Sequence, residues 1–480
     1  MAVINQALRL YEDTYTTDKY SSVDYLSQGK LTANSVLSSA VVHLFGQRSN
    51  KFPLLLATKA KGAVVSIESV DTLFTVPIMG KPKKTSLIMA TPYSATSKIG
   101  VGKTPITITF ADKHFRKGET LALNSGILLT VQDEPKAGDL GFDYVLKIHG
   151  SNNNAYVPYS DLKAGTRLAG MFVAAGLKNS KGTESRTQMP SKMQNQCTKL
   201  RATYNWIGNL KDKVMVIELP AGEGRTTKVW QEWEMYDHDL RFMEEQENAL
   251  WYSQFNRTAD GKILDRDVNT GDLVVTGSGL LEQIPNEATY AILTENIIYR
   301  TVRDVLYNSC ADKVKQISIY TGVGGREEFH KAFATSLGKL NFADNASQFV
   351  GGATNSNNLT YGAYFGTYKH QDGHVITLKM LPLLDHGAKA DAAPKHPTSG
   401  LPITSYDMYF IDESTVEGKP NLQFVQEKGA EDIRKKINGM NGDSEIVSSD
   451  DMASSVQYVK SVGIHMYNPV SSFKLRCIAA

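Results

Sequence analysis

The stretch Gly100-Val101-Gly102-Lys103-Thr104 carries the glycine, lysine and threonine that a phosphate-binding loop uses. That chemistry needs an earlier glycine, separated from the Gly102-Lys103 pair by four residues, and Ser97 stands there. It also needs a helix after the threonine, so that helical N–H groups meet the phosphates; Pro105 and a β-branched run follow instead. Asn256-x-Thr258-x-Asp260-Gly261, with Asp267 at the twelfth place, has the outline of a calcium loop. It opens on Asn, has Thr at the third position and closes on Asp rather than a bidentate Glu, so a helix-ending turn is the better reading. Gly322-Val323-Gly324-Gly325 lacks the dinucleotide spacing and reads as a flexible turn. The ten histidines form no HExxH pair. Glu234 and His238 share a helix face, a spacing that usually means solvated surface, and no GxSxG elbow stands out. No catalytic, cofactor-binding or metal-binding residue is assigned, and weight moves to a structural or binding role.

The totals agree with that direction. The chain has 480 residues, 41% hydrophobic and 21% charged, enough for two or three packed domains. A formal net charge of +2 is too small to argue by itself for nucleic acid. Cys197, Cys310 and Cys477 are far apart with no CxxC pair, which suggests a reducing compartment without disulfides. No apolar run approaches bilayer length, so no membrane association is expected. The start, MAVINQALRLYEDTY, lacks the basic and apolar regions of a secretory signal. A chain beginning at Met1 gives the expectation that no propeptide has been removed.

The element that must position everything else is one long helix, expected over Thr227–Phe255. Val229, Trp233, Tyr236, Leu240, Met243 and Leu250 form a 4-3-4-3 stripe that only Glu247 breaks. The opposite face is acidic, from Glu232 to Glu247. Residues 1–50 read as a polar arm without a core of its own. Residues 51–220 are mostly strand, with β-branched runs at 64–70, 106–110, 127–131 and 214–219 and an alternating run over 142–148. That is enough for a small sandwich or barrel-like insert. Between Thr75 and Thr120 eight basic residues face two acids, while Lys228–Asp260 has eight acids against three bases. A second helix is expected after Pro285, with Asn286 as N-cap and a stripe through Ala291, Ile298, Val302 and Val305. Gln316–Tyr320 reads as a strand, Ala430–Ile437 as a short charged helix, and the chain closes on strand-like segments joined at Asn468-Pro469.

This order of elements resembles the major capsid proteins of tailed bacteriophages, the Hong Kong phage type of shell fold. The wording is closest to crAss-like phages. The stretches that carry the resemblance are WQEWEMYDHDLRFMEEQENALWYSQF, TYAILTENIIYRTVRDVLYNS and VKSVGIHMYNPVSSFKLRCIA. It implies an α+β tailed-phage major capsid fold with a long spine helix, peripheral and axial domains, and an extended loop carrying an inserted β-rich domain. The implied divisions are 1–50 as N-terminal arm, 51–224 as extended loop with insert, and 225–256 as spine helix. Residues 257–337 would form the peripheral domain, 338–455 the axial domain, and 456–480 strands returning to the peripheral domain. The loop cross-linking chemistry of some relatives has no matching motif here.

The implied role is self-assembly into hexamers and pentamers of an icosahedral shell around double-stranded DNA, in the virion and assembled in the host cytoplasm. Implied partners are further copies of the chain, portal, decoration or head-fibre proteins, a scaffold, and nonspecific DNA. In that setting the charge bias gains a use. Lys81, Lys83, Lys84, Arg116 and Lys117 of one subunit are expected to meet Glu234, Asp237, Glu244 and Glu245 of its neighbour. The other readings are a tail sheath or baseplate component, a β-rich glycan-binding protein, and an ATP-binding enzyme built on Gly100–Thr104.

Overall fold

The computed structural model describes residues 52–60, 64–68, 72–80, 82–96, 98–178, 187–207, 214–222, 225–308, 315–337, 367–369, 374–416, 418–440 and 447–478. The expected arm over 1–50, Lys81 and Cys310 lie outside them. The chain divides into two compact units, one made of Met1–Val76 with Gln194–Ala480, the other of Pro77–Met193.

Helix α1 (Pro53–Ala60), strand β1 (Val64–Ile67) and strand β2 (Leu73–Ile78) come first. The smaller unit follows. Its strands are β3 (Thr85–Ala90), β4 (Ile106–Phe110), β5 (Glu119–Ala122), β6 (Leu128–Val131), β7 (Lys136–Gly138), β8 (Gly141–Ile148) and β9 (Arg167–Val173). They run in the order β4-β3-β9-β5-β6-β8-β7, every pair antiparallel, and β8 also pairs with β4. That last pairing closes the sheet into a barrel. Alternation in the sequence dictates the closure. In β4, Ile106, Ile108 and Phe110 are buried while Thr107 and Thr109 point away, and in β8 Tyr144, Leu146 and Ile148 line the same interior. Phe110, Phe115 and Tyr144 meet edge to face inside. The phosphate-loop lookalike is a turn in this wall. Gly100 and Gly102 have φ of 79° and 67°, and a Cβ on Gly100 would lie 2.7 Å from the Ile106 side chain. Strand β4 follows, so no helix N-terminus is offered to a phosphate.

Strand β10 (Ser191–Gln196) returns the chain to the larger unit, which continues with β11 (Thr198–Ile207), β12 (Val214–Gly222), β13 (Arg225–Val229) and helix α2 (Trp230–Tyr252). Next come β14 (Asn286–Tyr290), α3 (Glu295–Asn308), β15 (Gln316–Thr321), α4 (Val323–Leu337), β16 (Thr367–Lys369) and β17 (Val375–Met380). Strand β18 (Met408–Asp412), a minimal hairpin of β19 (Thr415–Val416) and β20 (Lys419–Pro420), β21 (Leu422–Glu427), β22 (Ile433–Ile437), β23 (Ala453–Met466) and β24 (Phe473–Cys477) complete it. One sheet is built on β23, with β11 along one side and β21 and β22 along the other. The second sheet runs β14-β24-β18-β15-β17-β16, with β14 parallel to β24.

Four expected elements differ. The long helix begins at Trp230, not Thr227, because Thr226 and Thr227 are β-branched and pair with Pro220 and Leu219 of β12. It ends at Tyr252, where Ser253 turns extended, so its 23 residues reach about 34 Å. Asn286 does not cap a helix. It opens β14, its side chain donates to the carbonyls of Val470 and Ser472, and the helix starts nine residues later at Glu295. Ile298, Val302 and Val305 do form its buried stripe. Ala430–Ile437 is not helical either; Ile433–Ile437 pairs with β23. Gly322–Gly325 is no flexible turn but the opening of α4. The N–H of Val323 donates to both carboxylate oxygens of Asp385 at 3.1 Å, and that of Gly324 to Ser405 Oγ at 2.8 Å. A Cβ on Gly324 would lie 2.7 Å from the Tyr406 ring, so glycine serves close packing here.

Glu247, the break in the apolar stripe, is not on the acidic face. It is 1% exposed. Its Oε1 accepts the N–H of Leu54 at 3.0 Å and the Trp251 indole at 2.8 Å, and its Oε2 accepts the N–H of Leu55 at 3.0 Å. Pro53 heads α1 and has no N–H to satisfy, so the carboxylate takes the next two orphan donors. Burial pushes its carboxyl above the usual range, and the three donors, which favour the charged form, oppose that shift.

Two predictions follow from these buried charges. Glu247→Ala removes the carboxylate that three buried N–H groups donate to and should cost roughly 3 kcal/mol or more in chemical denaturation. Amides of Leu54 and Leu55 should exchange faster; unchanged exchange would refute the cap. The second concerns pH. Burial raises Asp407 to about 6, against the Cys477 N–H and the nearby Arg476 and Lys389 cations, so its contribution is full below about 4 and lost as pH rises through about 6. Burial lowers His465 to about 4, so its contribution is full above about 6.5 and lost as pH falls through about 4. Each amounts to roughly 3 kcal/mol, with opposite slopes. Asp407→Asn should make stability climb more steeply from pH 4 to 6.5, and His465→Phe should make it fall. Parallel profiles for the wild type and both variants would contradict this.

Candidate inter-subunit surfaces

Strand direction gathers the basic residues. In the barrel β3 and β5 are each antiparallel to β9, so the starts of β3 and β5 and the end of β9 lie at one barrel end. Lys83 and Lys84 precede β3, and Arg116 and Lys117 precede β5. The N–H of Gly170 donates to the Lys84 carbonyl at 2.9 Å, and Val173 pairs with Glu119. Glu119 is buried, and its Oε2 accepts the Arg116 N–H at 2.9 Å. A Cβ on Gly170 would sit 2.3 Å from Glu119 Oε1, so that glycine makes room for the carboxylate.

Lys83 pairs with Asp112, and Lys117 with Asp133 at 3.1 Å, all four side chains roughly half exposed or more. Exposed pairs of this kind contribute little to stability. Lys84, Lys113 and Arg116 have no ion pair among the described residues. Between these cations lies something that charge counting overlooked. Met171, Phe172 and Val173 end β9 with exposures of 60%, 47% and 40%. An apolar ledge with a basic rim has the anatomy of a protein interface. The available signal was three consecutive large apolar residues where an alternating strand should have changed face.

The acidic counterpart is partly used inside its own unit. Glu234 accepts the Tyr204 hydroxyl at 2.7 Å, and burial beside that carboxylate pushes the phenol well above its usual range. Asp237 pairs with Arg241 one turn on at 2.9 Å, and Asp239 with Arg434 at 3.5 Å. Glu244 is half-buried and Glu245 exposed. His238 lies with its ring 5.8 Å from Tyr204 and 5.0 Å from Tyr458, and burial lowers its pKa. The Glu234–His238 pair is therefore packed against β11 and β23, not the solvated surface its spacing suggested.

The calcium-loop lookalike is an ordered double turn over 256–276. Gly261 and Gly271, at φ of 80° and 74°, close its two turns, and isolated bridges join Arg257 to Ile263 and Arg266 to Leu273. Asn256 fastens the base: its Nδ2 donates to Asp265 and the Val274 carbonyl, and its Oδ1 accepts from Thr276 and Gln196. Among the described residues no three His, Cys, Asp or Glu groups are placed to hold a metal. Leu264, Val268 and Leu273 project with exposures of 73%, 98% and 53%.

The family described as crassvirus major capsid protein matches residues 26–480 of this chain. The major capsid protein of Bacteroides phage crAss001 is 23% identical over 429 residues, 83% of this chain and 82% of that protein. Among solved structures, one of Mycobacterium phage Bobi aligns with a TM-score of 0.36 and 8% identity, covering 96% of this chain and 99% of that one. The capsid of Myoviridae phage XM1 aligns with a TM-score of 0.36 and 9% identity, covering 93% and 98%.

The two kinds of acid on α2 separate in denaturation. Glu234→Ala strands the Tyr204 hydroxyl and should cost about 1–2 kcal/mol. Glu245→Ala, at the exposed surface, should cost under about 0.5 kcal/mol. Equal losses would show that Glu234 has no internal role.

Proposed function

This chain belongs to the crassvirus major capsid protein family, and its role is that of a structural protein of a phage capsid; we propose how its subunits are held together. Copies assemble into hexamers and pentamers of an icosahedral shell that encloses double-stranded DNA. Assembly takes place in the bacterial host cytoplasm, alongside a scaffold, a portal and decoration or head-fibre proteins. Contact with the packaged DNA is nonspecific, in keeping with the net charge of +2. The chain acts through surfaces rather than through catalysis. Its working parts are an arm over 1–50, an extended loop with insert over 51–224, a spine over 225–256, a peripheral domain over 257–337, an axial domain over 338–455 and returning strands over 456–480.

In this reading Lys81, Lys83, Lys84, Arg116 and Lys117 of one subunit face the acidic side of a neighbour's spine, where Glu234, Asp237, Glu244 and Glu245 lie. The observation that supports it most is the gathering of Lys83, Lys84, Arg116 and Lys117 at one barrel end beside an apolar ledge. The charges set register and speed docking, and the apolar contact supplies most of the affinity.

Replacing Lys83, Lys84, Arg116 and Lys117 together by Glu should leave the barrel folded, because all four are surface residues. Shell yield by sedimentation and electron microscopy should drop about tenfold at low salt. The loss should shrink above about 0.5 M salt, where the Debye length is a few ångströms. Undiminished yield at every salt concentration would remove these residues from the interface.

A further inference from the structure

We propose that the double turn over 256–276 of one subunit seats on the Met171–Val173 ledge of a neighbouring copy. The inference rests on the capsid reading and revises one part of it: the partner of this barrel end is a neighbour's 256–276 loop in place of its spine acids.

The two surfaces match in three respects. The loop presents Leu264, Val268 and Leu273 outward, and the ledge presents Met171, Phe172 and Val173, so each offers a small apolar centre that solvent now covers. Their net charges have opposite sign. The loop carries Asp260, Asp265, Asp267 and Asp272 against Arg257, Lys262 and Arg266, a net charge of −1; Arg257 and Arg266 donate to the loop's own Gly261 and Gly271 carbonyls, and none of the four acids has an ion pair among the described residues. Lys84 and Arg116 stand at the ledge without an ion pair among the described residues. Both surfaces are also ordered before they meet. The loop is fastened by Asn256, by Gln196 donating to the Thr276 carbonyl at 2.7 Å, and by Arg257 donating to Gln196 at 3.1 Å. The ledge is the end of a barrel strand. Order in advance removes the entropy cost that a floppy loop carries into an interface. The spine acids are weaker candidates for this ledge: Glu234, Asp237 and Asp239 already have partners within their own subunit.

The test is cross-linking in assembled shells of the full-length protein. Subunits carrying Met171→Cys and Val268→Cys are treated with a short bismaleimide, beside both single variants and a Met171→Cys, Met235→Cys pair that probes α2. The proposal expects a ladder of covalent dimers and larger species from the Val268 pair, absent from the single variants. A ladder from the Met235 pair alone overturns the loop contact and leaves the capsid reading in place. A cross-link confined within single chains overturns it too. A charge exchange gives an independent readout. Shell yield from Asp260→Lys, Asp272→Lys subunits, and from Lys84→Glu, Arg116→Glu subunits, should each drop about tenfold when alone. Mixed together they should recover to within about twofold of the wild type. No recovery on mixing excludes the pairing.

Discussion

A buried carboxylate joins the start of the described chain to its longest helix. Glu247 accepts two N–H groups from the first turn of α1, more than 190 residues away in sequence, and a third from Trp251 one helical turn on. The interaction is costly to make, since a charge leaves water, and costly to break, since three buried donors would lose the carboxylate they share. That asymmetry fixes α1 at one place on α2. Around it close Trp251, edge-on to Tyr320 at 5.4 Å, and the apolar residues of α1, β18 and β23. The α2 stripe could have been completed with a leucine. A glutamate there trades apolar burial for a specific address, and the address is the first turn of α1.

Much of the architecture was legible because it rests on local periodicity. The β-branched run over 106–110, the alternation over 142–148 and the stripe of α3 reappear in the structure as strands and a buried face. The misreadings share one cause. Asn286–Tyr290 and Ile433–Ile437 have sequences a helix tolerates, and each is held as a strand by a partner far away in the chain, β24 and β23 respectively. Glu247 was misplaced for the same reason: its spacing belonged to the buried stripe, but its chemistry matched the acidic face. The Gly322–Gly325 run looked flexible because glycine has two uses, freedom and closeness, and only the neighbours Asp385, Ser405 and Tyr406 tell them apart.

The candidate surfaces were half legible. Counting charge located the basic side but not its geometry, because Lys83 and Arg116 become neighbours only through the pairings of β3 and β5 with β9. Their apolar companions went unnoticed. On the acidic side, counting overstated the supply, since Tyr204, Arg241 and Arg434 already engage three of the carboxylates. Membership of the capsid family displaces the tail-sheath, baseplate, glycan-binding and ATP-binding readings. The Gly100–Thr104 turn in the barrel wall removes the motif on which the last of them rested.

The barrel leaves the main chain path through β2 and returns through β10, two strands that pair with each other. Polymer statistics make such an excursion inexpensive. The entropy of closing a loop grows only with the logarithm of its length, about 0.6 kcal/mol for each doubling. An insert of any size that folds on its own can therefore hang from that ribbon while the rest of the chain pays little more than it would for a short turn. A change of length or sequence inside the barrel therefore reaches the rest of the fold only through the pairing of β2 with β10.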